Sequence, residues 1–435
     1  MDMLELPPKL NLETQTFVRV KDPQFAHLLR DINNKYLYWD KVKYKTQKDV
    51  SAVDLWSVVK LSRQFSYTKQ SFGKYVFNYF TTECFQELLH NFDMNIGGSM
   101  ATTGFISERD RNRYLISSLM EEAISSSIIE GANTTRKKAK EMLRKEISPR
   151  TRSEYMIVNN YNTMNYIAQN CNENLSPENL LYIHKLITNN TLGNKDEEGY
   201  FRNNNEIYVV NTSSSEAVHT PPDFTEIPGL IIDLCDFFNA DKQFIHPIIK
   251  GIIIHFMIGW IHPFTDGNGR TARSLFYWYL LKKGYWLTEY LSISKIIHAS
   301  KAQYEKSYLH TEYDENDLNY FILFNLNAMQ KAFDALNDYI RLKKQESIQT
   351  AQFVKIQGVN ERQAYLLKKL YDEPDIVFTV KEVENRFSVS SFTARMDLQG
   401  LVKLGFVSEI QVNKVKKNYI RTIDFEKLVK QCTNL

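Results

Sequence analysis

The residues best suited to chemistry lie in one nine-residue stretch, His262 to Arg270, which has the sequence His-Pro-Phe-Thr-Asp-Gly-Asn-Gly-Arg. A glycine-rich turn that opens a helix presents free backbone N–H groups and the positive end of the helix dipole to an anion. Asp266 could hold a divalent cation, and Arg270 could bind a phosphate in fork geometry. His262 could act as a general base. The stretch therefore predicts a nucleotide-phosphate site that carries its own base.

Two helices must position this stretch. Residues 247–261 are apolar on nearly all sides, which predicts a central, buried helix that delivers His262. Residues 271–281 predict a second helix, which ends in a basic last turn followed by Gly284. The catalytic candidates would thus lie at the junction of two helices.

A third helix is predicted from about Arg109 onwards, and Gly131 marks its end. Glu130 would then lie at a helix C-terminus, where a negative charge opposes the dipole. Taken by itself, Glu130 fits an exposed glutamate without a role, because glutamates are mostly exposed.

A short β-rich run interrupts the helical pattern at Ile207, Tyr208, Val209 and Val210, with polar turn residues on both sides. It predicts a small hairpin. Such a hairpin could bind an extended segment of another protein by strand addition, or it could be a structural flap without a partner. The residues alone leave both interpretations open.

The composition limits the class of protein. With 435 residues, the chain exceeds the usual size of one domain, and its net charge of +3 gives no global preference for nucleic acid or membrane. The four cysteines are widely separated, which is typical of reduced thiols rather than of disulfides or a zinc site. No targeting segment or membrane span is expected, so we expect a cytoplasmic protein that does not bind a membrane.

We expect three regions: an N-terminal helical region at 1–110, a catalytic core at 111–345 and a C-terminal domain at 346–435. The last region shows a helix, a helix-turn-helix and a basic hairpin, which is a winged-helix pattern. Winged helices bind DNA or serve as docking and dimerisation modules, and the modest local charge leaves both uses open. The oligomeric state, including a homodimer, is also left open.

The stretch His262 to Arg270 matches the motif HPFx[D/E]GNGR of the Fic (filamentation induced by cAMP) family without a departure. Ser126 to Gly131 resembles the inhibitory motif [S/T]xxxE[G/N] of the same family and lies N-terminal to the catalytic motif. The resemblance implies a mainly α fold, a Fic-type helical core with a small β-hairpin flap, and an inhibitory helix at about 111–131. The usual activity of the family is AMPylation, the transfer of AMP from ATP to a Ser, Thr or Tyr hydroxyl of a protein with release of pyrophosphate.

The resemblance also implies roles for individual residues. His262 would be the catalytic base, and Asp266 would hold Mg²⁺ between the α- and β-phosphates. Binding of the ATP phosphates would fall to Gly267, Asn268, Gly269, Arg270 and, one helical turn further on, Arg273. Tyr304 falls where the family tends to have an adenine-side tyrosine, although the usual Tyr-Tyr pair is Tyr304-Glu305 here.

The resemblance reverses the interpretation of Glu130. In the family this glutamate pairs with the second arginine, here Arg273, and blocks the γ-phosphate; Ser126 begins the same inhibitory motif. The same glutamate supports removal of AMP in some relatives. The residues Ile207, Tyr208, Val209 and Val210 would hold the target protein.

Two other functions are weighed against an autoinhibited adenylyltransferase. One is a Fic enzyme that transfers another phosphate-containing group, which the intact Gly267, Gly269 and Arg270 disfavour. The other is a DNA-binding regulator whose Fic domain only senses nucleotide. A sensor has no need for a base, so the presence of His262 argues against it.

Overall fold

The computed structural model describes residues 4–11, 23–46, 50–95, 108–210, 217–240, 243–387, 389–412 and 417–432. The chain divides into two compact units, Met1–Leu336 and Asn337–Leu435. Helices dominate both units, so the mainly α fold predicted from the sequence is confirmed. Among the described helices, none combines the length and the apolar character that crossing a membrane would require.

Thirteen described helices lie within the first unit. They are α1 (Pro23–Asn34), α2 (Trp39–Val42), α3 (Ala52–Gln64), α4 (Glu83–Asn95), α5 (Glu108–Ile129), α6 (Arg136–Arg144), α7 (Arg152–Gln169), α8 (Pro177–Thr188), α9 (Ile227–Asn239), α10 (Pro247–Ile261), α11 (Asn268–Lys282), α12 (Ile293–Ala299) and α13 (Lys301–Tyr313). Short 3₁₀ turns occur at Lys195–Glu197, Phe224–Glu226 and Trp286–Tyr290. Helix α14 (Asn319–Val354) follows, and the boundary between the two units falls within it.

Helix α10 forms the centre of the first unit, as its composition predicts. Nearly every residue from Ile248 to Ile261 is buried, because the helix is apolar on nearly all sides. Gly251 allows α11 to pack closely, since a Cβ there would lie 3.3 Å from side-chain atoms of Leu280 and Phe276. The two helices therefore hold the loop between them, residues 262–267, in a fixed position.

The N-terminal region contains a β-hairpin that the sequence analysis did not predict. Strand β1 (Thr68–Phe72) pairs antiparallel with β2 (Tyr75–Tyr79) through the two-residue turn Gly73-Lys74. The aromatic residues of this region suit a helical layer and a strand equally well, because either buries them. Gly73 has φ +55, and a glycine in a two-residue turn between β-rich segments was the signal for the hairpin.

The predicted flap is present, and it extends beyond the β-rich run at 207–210 to residue 219. Strand β3 (Val209–Val210) pairs antiparallel with β4 (Ala217–His219), with a register shift between Val209 and Val210. Ile207 and Tyr208 precede the strand, and the side chain of Val210 lies outside the described residues.

The second unit has its own core, in which Leu366, Leu398, Leu401 and Phe406 are fully buried or nearly so. Its elements are α15 (Glu361–Asp372), α16 (Val380–Phe387), α17 (Ser391–Lys403), β5 (Val407–Gln411), β6 (Lys417–Arg421) and α18 (Phe425–Cys432). The order of the first five matches the predicted helix, helix-turn-helix and hairpin, and α18 was not predicted. Assignment to the winged-helix class stays a prediction.

Candidate active site

His262 ends helix α10 in a left-handed backbone conformation, with φ +50 and ψ +55. This conformation is uncommon for a residue with a side chain. It brings the ring back over the last turn, where Nδ1 lies 3.1 Å from the carbonyl oxygen of Gly259. Because a carbonyl only accepts, Nδ1 must carry the proton and Nε2 must have a free lone pair. The local fold therefore selects the tautomer that a base needs.

The environment of His262 also keeps the ring neutral. The side chain is half-buried, and its burial lowers the pKa from 6.5 to about 4, with only partial compensation by the bond to Gly259. At neutral pH the imidazole is therefore able to accept a proton rather than to donate one.

Arg202 fixes the backbone of the loop and was not singled out from the sequence. Its Nε donates to the carbonyl of His262 at 3.0 Å, and its backbone N–H donates to the carbonyl of Pro263 at 2.9 Å. The guanidinium is buried and also binds the carbonyls of Asn204 and Pro222. Arg202 thus connects the catalytic loop to the segments on both sides of the flap.

Asn268 and His184 determine the shape of the loop. The Asn268 side chain accepts a hydrogen bond from Phe264 N–H at 3.0 Å and donates one to Phe264 C=O at 2.8 Å. The ring of His184 stacks on Phe264 at 3.7 Å and donates through Nε2 to the carbonyl of Asp266 at 2.9 Å. Since Gly199 N–H donates to Nδ1 of His184, this histidine is neutral, and its burial lowers its pKa to about 4. The Asn268 side chain therefore stabilises the loop, and the backbone N–H of Asn268 is available to bind an anion.

The phosphate cradle is the N-terminus of α11. The first intrahelical bond runs from Thr271 N–H to Gly267 C=O, so the amides of residues 268–270 precede it. Gly267 has φ +89, and a Cβ there would lie 3.0 Å from Thr188, so only glycine fits. Among the described residues, Arg270 Nε and Arg273 Nη1 are buried without a hydrogen-bond partner. Unpaired buried guanidinium donors beside a helix N-terminus fit a polyanionic ligand.

Asp266 lies beside this cradle, partly exposed, between two arginines. Its Oδ2 lies 2.7 Å from Nη2 of Arg152, and its Oδ1 lies 3.4 Å from Nη2 of Arg270. Within the described part of the chain no cluster of three metal-binding side chains exists. A single carboxylate still suits Mg²⁺, which keeps several waters and takes phosphate oxygens as further ligands.

Glu130 lies at the far side of the cradle and binds Arg273. Arg273 Nη2 donates to Glu130 Oε1 at 2.9 Å, and Arg273 Nε donates to Ser126 Oγ at 2.8 Å. The Glu130 carboxylate occupies the space next to Gly269, where an added Cβ would overlap it. The structure thus brings Ser126, Glu130 and Arg273 together and adds Gly269 to the contact. The pairing of Glu130 with Arg273 is the one that the family resemblance implies.

Helix α5, which carries Glu130, is held by buried polar contacts. Glu122 accepts from the backbone N–H of Ser294 at 2.9 Å, and Ser127 Oγ lies 2.8 Å from Ala123 O and 3.1 Å from Met156 O. Lys301 donates to the carbonyl of Ile129 at 3.1 Å, where it offsets the negative end of the helix dipole. Sequence patterns gave no indication of Lys301, because only the fold brings it to this helix end.

The structure places Tyr304 in the core beneath Arg273. The residue is buried, and its hydroxyl lies 2.9 Å from Nε2 of His255 and 3.4 Å from the hydroxyl of Tyr308. Its position supports the floor of the cradle. Contact of Tyr304 with an adenine ring stays a prediction.

The flap is attached to the catalytic helix by His219. Its Nε2 lies 2.8 Å from the carbonyl of Trp260, and its Nδ1 lies 2.7 Å from Glu312 Oε2. The exposed Tyr208 and the edge of β3 lie on the same flap. The strand pair is therefore anchored at one end, two residues before His262.

Comparisons with known proteins agree with the family expected from the motif. Residues 174–280 match the Fic/DOC family. Protein adenylyltransferase Fic from Culex quinquefasciatus is 28% identical over 180 residues, which are 39% of this chain and 31% of that protein. The protein of the same name from Nematostella vectensis is 37% identical over 68 residues, 15% of this chain and 16% of that protein. The match thus spans about a third or less of the length of these curated relatives.

Solved structures support the fold. A Fic family protein from Desulfovibrio desulfuricans aligns with a TM-score of 0.50 and 19% identity, and the alignment covers 77% of this chain and 96% of that one. A fragment of Fic-1 from C. elegans aligns with a TM-score of 0.50 and 15% identity over 76% of this chain and 87% of that one. At these identities the likeness concerns the fold alone.

Proposed function

We propose that this chain, which carries a domain of the Fic/DOC family at residues 174–280, is an autoinhibited protein adenylyltransferase. It would transfer AMP from ATP to a Ser, Thr or Tyr hydroxyl of a protein and release pyrophosphate. The observation that carries the proposal is the position of His262. A neutral imidazole with its Nε2 lone pair free lies on the same short loop as a helix N-terminus that suits phosphates.

The reaction follows from these parts. The hydroxyl oxygen of the target attacks the α-phosphorus of ATP, the bond from that phosphorus to the bridging oxygen breaks, and the hydroxyl proton moves to Nε2 of His262. The amides of residues 268–270 would stabilise the charge on the phosphate oxygens. Arg270 and Arg273 would bind the β- and γ-phosphates through the donors that no described residue satisfies.

Asp266 would hold the magnesium ion of Mg-ATP. When bound, the ion supplies positive charge that neutralises the leaving pyrophosphate. Residues in and around the loop hold its shape. His184 and Asn268 bind the loop from the neighbouring helices, and Gly267 lets the backbone approach the ligand.

Inhibition would come from the pair of Glu130 and Arg273. The Glu130 carboxylate holds Nη2 of the guanidinium that would bind the γ-phosphate, and its charge repels that phosphate. ATP would then bind without its α-phosphate in line for attack. In the reverse direction Glu130 is the candidate base for water in removal of AMP, because it faces the same cradle.

The target protein would bind at the flap. A two-stranded sheet has an unpaired edge, and β3 could accept an extended segment through main-chain hydrogen bonds. The chain itself is a further substrate candidate. This binding mode explains how targets of different sequence could present a hydroxyl to His262.

The second unit offers a separate hypothesis, contact with DNA. Helix α17 exposes Phe392, Arg395 and Met396, and Phe378 forms an antiparallel bridge to Tyr419 in β6. A mobility shift that weakens steeply with salt and disappears on truncation after residue 350 would support DNA contact. A homodimer through this unit is the alternative outcome.

The test of the main proposal compares labels and variants. The full chain is incubated with α-labelled or γ-labelled ATP and a protein extract, and modified peptides are identified by mass spectrometry. We expect the α label and the mass of AMP on hydroxyl side chains in Glu130→Gly, little in the wild type and none in His262→Ala with Glu130→Gly. Transfer of the γ label would instead indicate phosphorylation and contradict the proposal.

A further inference from the structure

Arg152 binds Asp266 and the backbone beside it, and the proposed reaction gives Arg152 no role. Its Nη2 donates to Asp266 Oδ2 at 2.7 Å, and its Nε donates to the carbonyl of Thr191 at 2.8 Å. Two donors of one planar guanidinium therefore bind two different segments, the catalytic loop and the turn after α8. This fork geometry fixes the orientation of the arginine, which a lysine could not reproduce.

The fold supports Arg152 in this position. It is the first residue of α7, which begins with a capping box between Thr151 and Glu154. Arg152 also borders a cavity of about 690 Å³ together with Arg150, Tyr155, Thr191, Thr265 and Asp266. The side chain is 57% exposed, so it can leave Asp266 without disturbing the core.

The contact has a chemical consequence. The lone pairs of Asp266 Oδ2 that face Arg152 are those that a cation approaching from the cavity would use, because Oδ1 already accepts from Gly267 N–H and faces Arg270. An arginine and a divalent cation at close range on that oxygen oppose each other, since two positive centres repel.

We propose that Arg152 is a positioning residue that acts as an internal counter-cation for Asp266 and competes with the divalent metal for this carboxylate. Without metal, Arg152 neutralises Asp266 and lets nucleotide phosphates approach the cradle. When the metal arrives with the nucleotide, it displaces Arg152 into the cavity. The inference rests on the proposed function, because it takes Asp266 as the metal ligand.

The proposal predicts how strongly metal assists nucleotide binding. This metal dependence is the Kd of the nucleotide in EDTA divided by its Kd in Mg²⁺. In Arg152→Ala, the negative charge of Asp266 is no longer neutralised in EDTA, so the Kd measured in EDTA should rise. In Mg²⁺ the metal no longer competes with Arg152 for Asp266, so the Kd measured in Mg²⁺ should fall, and both changes raise the ratio. We expect the ratio to rise about two- to fivefold, which corresponds to about 0.4 to 1 kcal/mol and lies within the range of an exposed ion pair.

The experiment is calorimetric titration of the full chain with α,β-methylene-ATP, in which the bond to be broken contains carbon. The variants are Arg152→Ala, Arg152→Gln, Arg150→Ala and Asp266→Asn. Arg150→Ala is the matched control, because it removes a positive charge from the same cavity and Arg150 has no bond to Asp266. The ratio should rise in both Arg152 variants, stay at the wild-type value in Arg150→Ala and fall towards one in Asp266→Asn.

The outcomes separate the inference from the proposed function. If Asp266→Asn loses the metal dependence and the Arg152 variants keep the wild-type ratio, only the inference is wrong. A lower ratio in the Arg152 variants also overturns it, since Arg152 would then act together with the metal. If Asp266→Asn keeps the wild-type ratio, or nucleotide binds neither to the wild type nor to Glu130→Gly, the proposed function itself fails.

Discussion

The candidate active site has an ion pair at each end, and the two pairs differ in burial. Arg273 and Glu130 meet at 2.9 Å with side chains 3% and 27% exposed. Arg152 and Asp266 meet at 2.7 Å with side chains 57% and 35% exposed. The distances are similar, so geometry alone does not distinguish them. Their environments do, because solvent screens the second pair far more than the first.

The difference in burial indicates which of the two ion pairs can stably inhibit the site. Arg273 is held by Ser126 as well as by Glu130, and the Glu130 carboxylate packs against Gly269. Breaking such a contact leaves a buried charge without its partner. Arg152 can exchange Asp266 for water at little cost. The inhibitory end should therefore behave as a switch, and the metal end as an adjustable contact.

The largest expected effect is the loss of AMP transfer when the base His262 is removed. His262→Ala in the Glu130→Gly background should lower AMP transfer by about 10²- to 10⁴-fold, because it removes the proton acceptor. Initial rates with α-labelled ATP measure the loss. Circular dichroism of the variant checks that the helices are intact. A rate within about tenfold of the Glu130→Gly rate would contradict the role of His262, because it would mean a loss of only about 1.4 kcal/mol in activation free energy.

The next effect breaks the inhibitory pair. Glu130→Gln keeps the size of the side chain and removes its charge, so AMP transfer should rise about 10- to 100-fold, the equivalent of one charged hydrogen bond. Glu121→Gln is the matched control on the same helix, because Glu121 pairs with Arg136 and Lys140 and not with Arg273. Equal rates for both variants would refute inhibition by Glu130.

A stability measurement compares the two ends directly. Arg273→Ala should lower the free energy of unfolding by about 3 kcal/mol, because Ser126 and Glu130 lose a buried partner. Arg152→Ala should lower it by about 1 kcal/mol or less. All five tryptophans lie in the first unit, so urea unfolding followed by tryptophan fluorescence reports on that unit. Similar losses in both variants would remove the contrast between the two pairs.

The smallest effect concerns pH. The pKa of His262 is lowered to about 4, so AMP transfer by Glu130→Gly should show no inflection from this group between pH 8 and about pH 5 and should fall as pH drops through about 4. Because the unfolded pKa is higher, near 6.5, the unfolded chain binds more protons in between, and stability falls as pH drops from about 6.5 towards 4. A rate profile with an inflection near 6.5 would show that His262 is not desolvated.

Much of the site could be predicted from the sequence, because its residues are contiguous. His262, Asp266 and Arg270 lie within nine consecutive residues, on the loop and the first turn of α11, and the flanking apolar and helical patterns define α10 and α11. Glu130 and Arg273, 143 residues apart, could be paired only through the resemblance of two motifs to one family.

The supporting residues could not be predicted in this way. Arg152 reaches Asp266 across 114 residues, and Arg202 reaches the carbonyl of His262 across 60, with no repeating pattern that links either pair. Such contacts depend on how helices pack, which local propensity does not determine. The hairpin at Thr68–Tyr79 escapes prediction for another reason: its aromatic residues suit a helical layer as well as a strand, so only Gly73 marks the turn.

The close contact between Gly269 and Glu130 has a genetic consequence. An alanine at 269 would displace the Glu130 carboxylate and would also crowd the amides that face a phosphate, so one substitution acts on inhibition and on catalysis in opposite directions. Its effect must therefore depend on residue 130: Gly269→Ala should be milder when Glu130 is present to be expelled and more harmful in Glu130→Gly. Glycine is required at position 269 for two reasons, the contact with Glu130 and the approach of a phosphate to the backbone amides. Loss of Glu130 would remove the first reason.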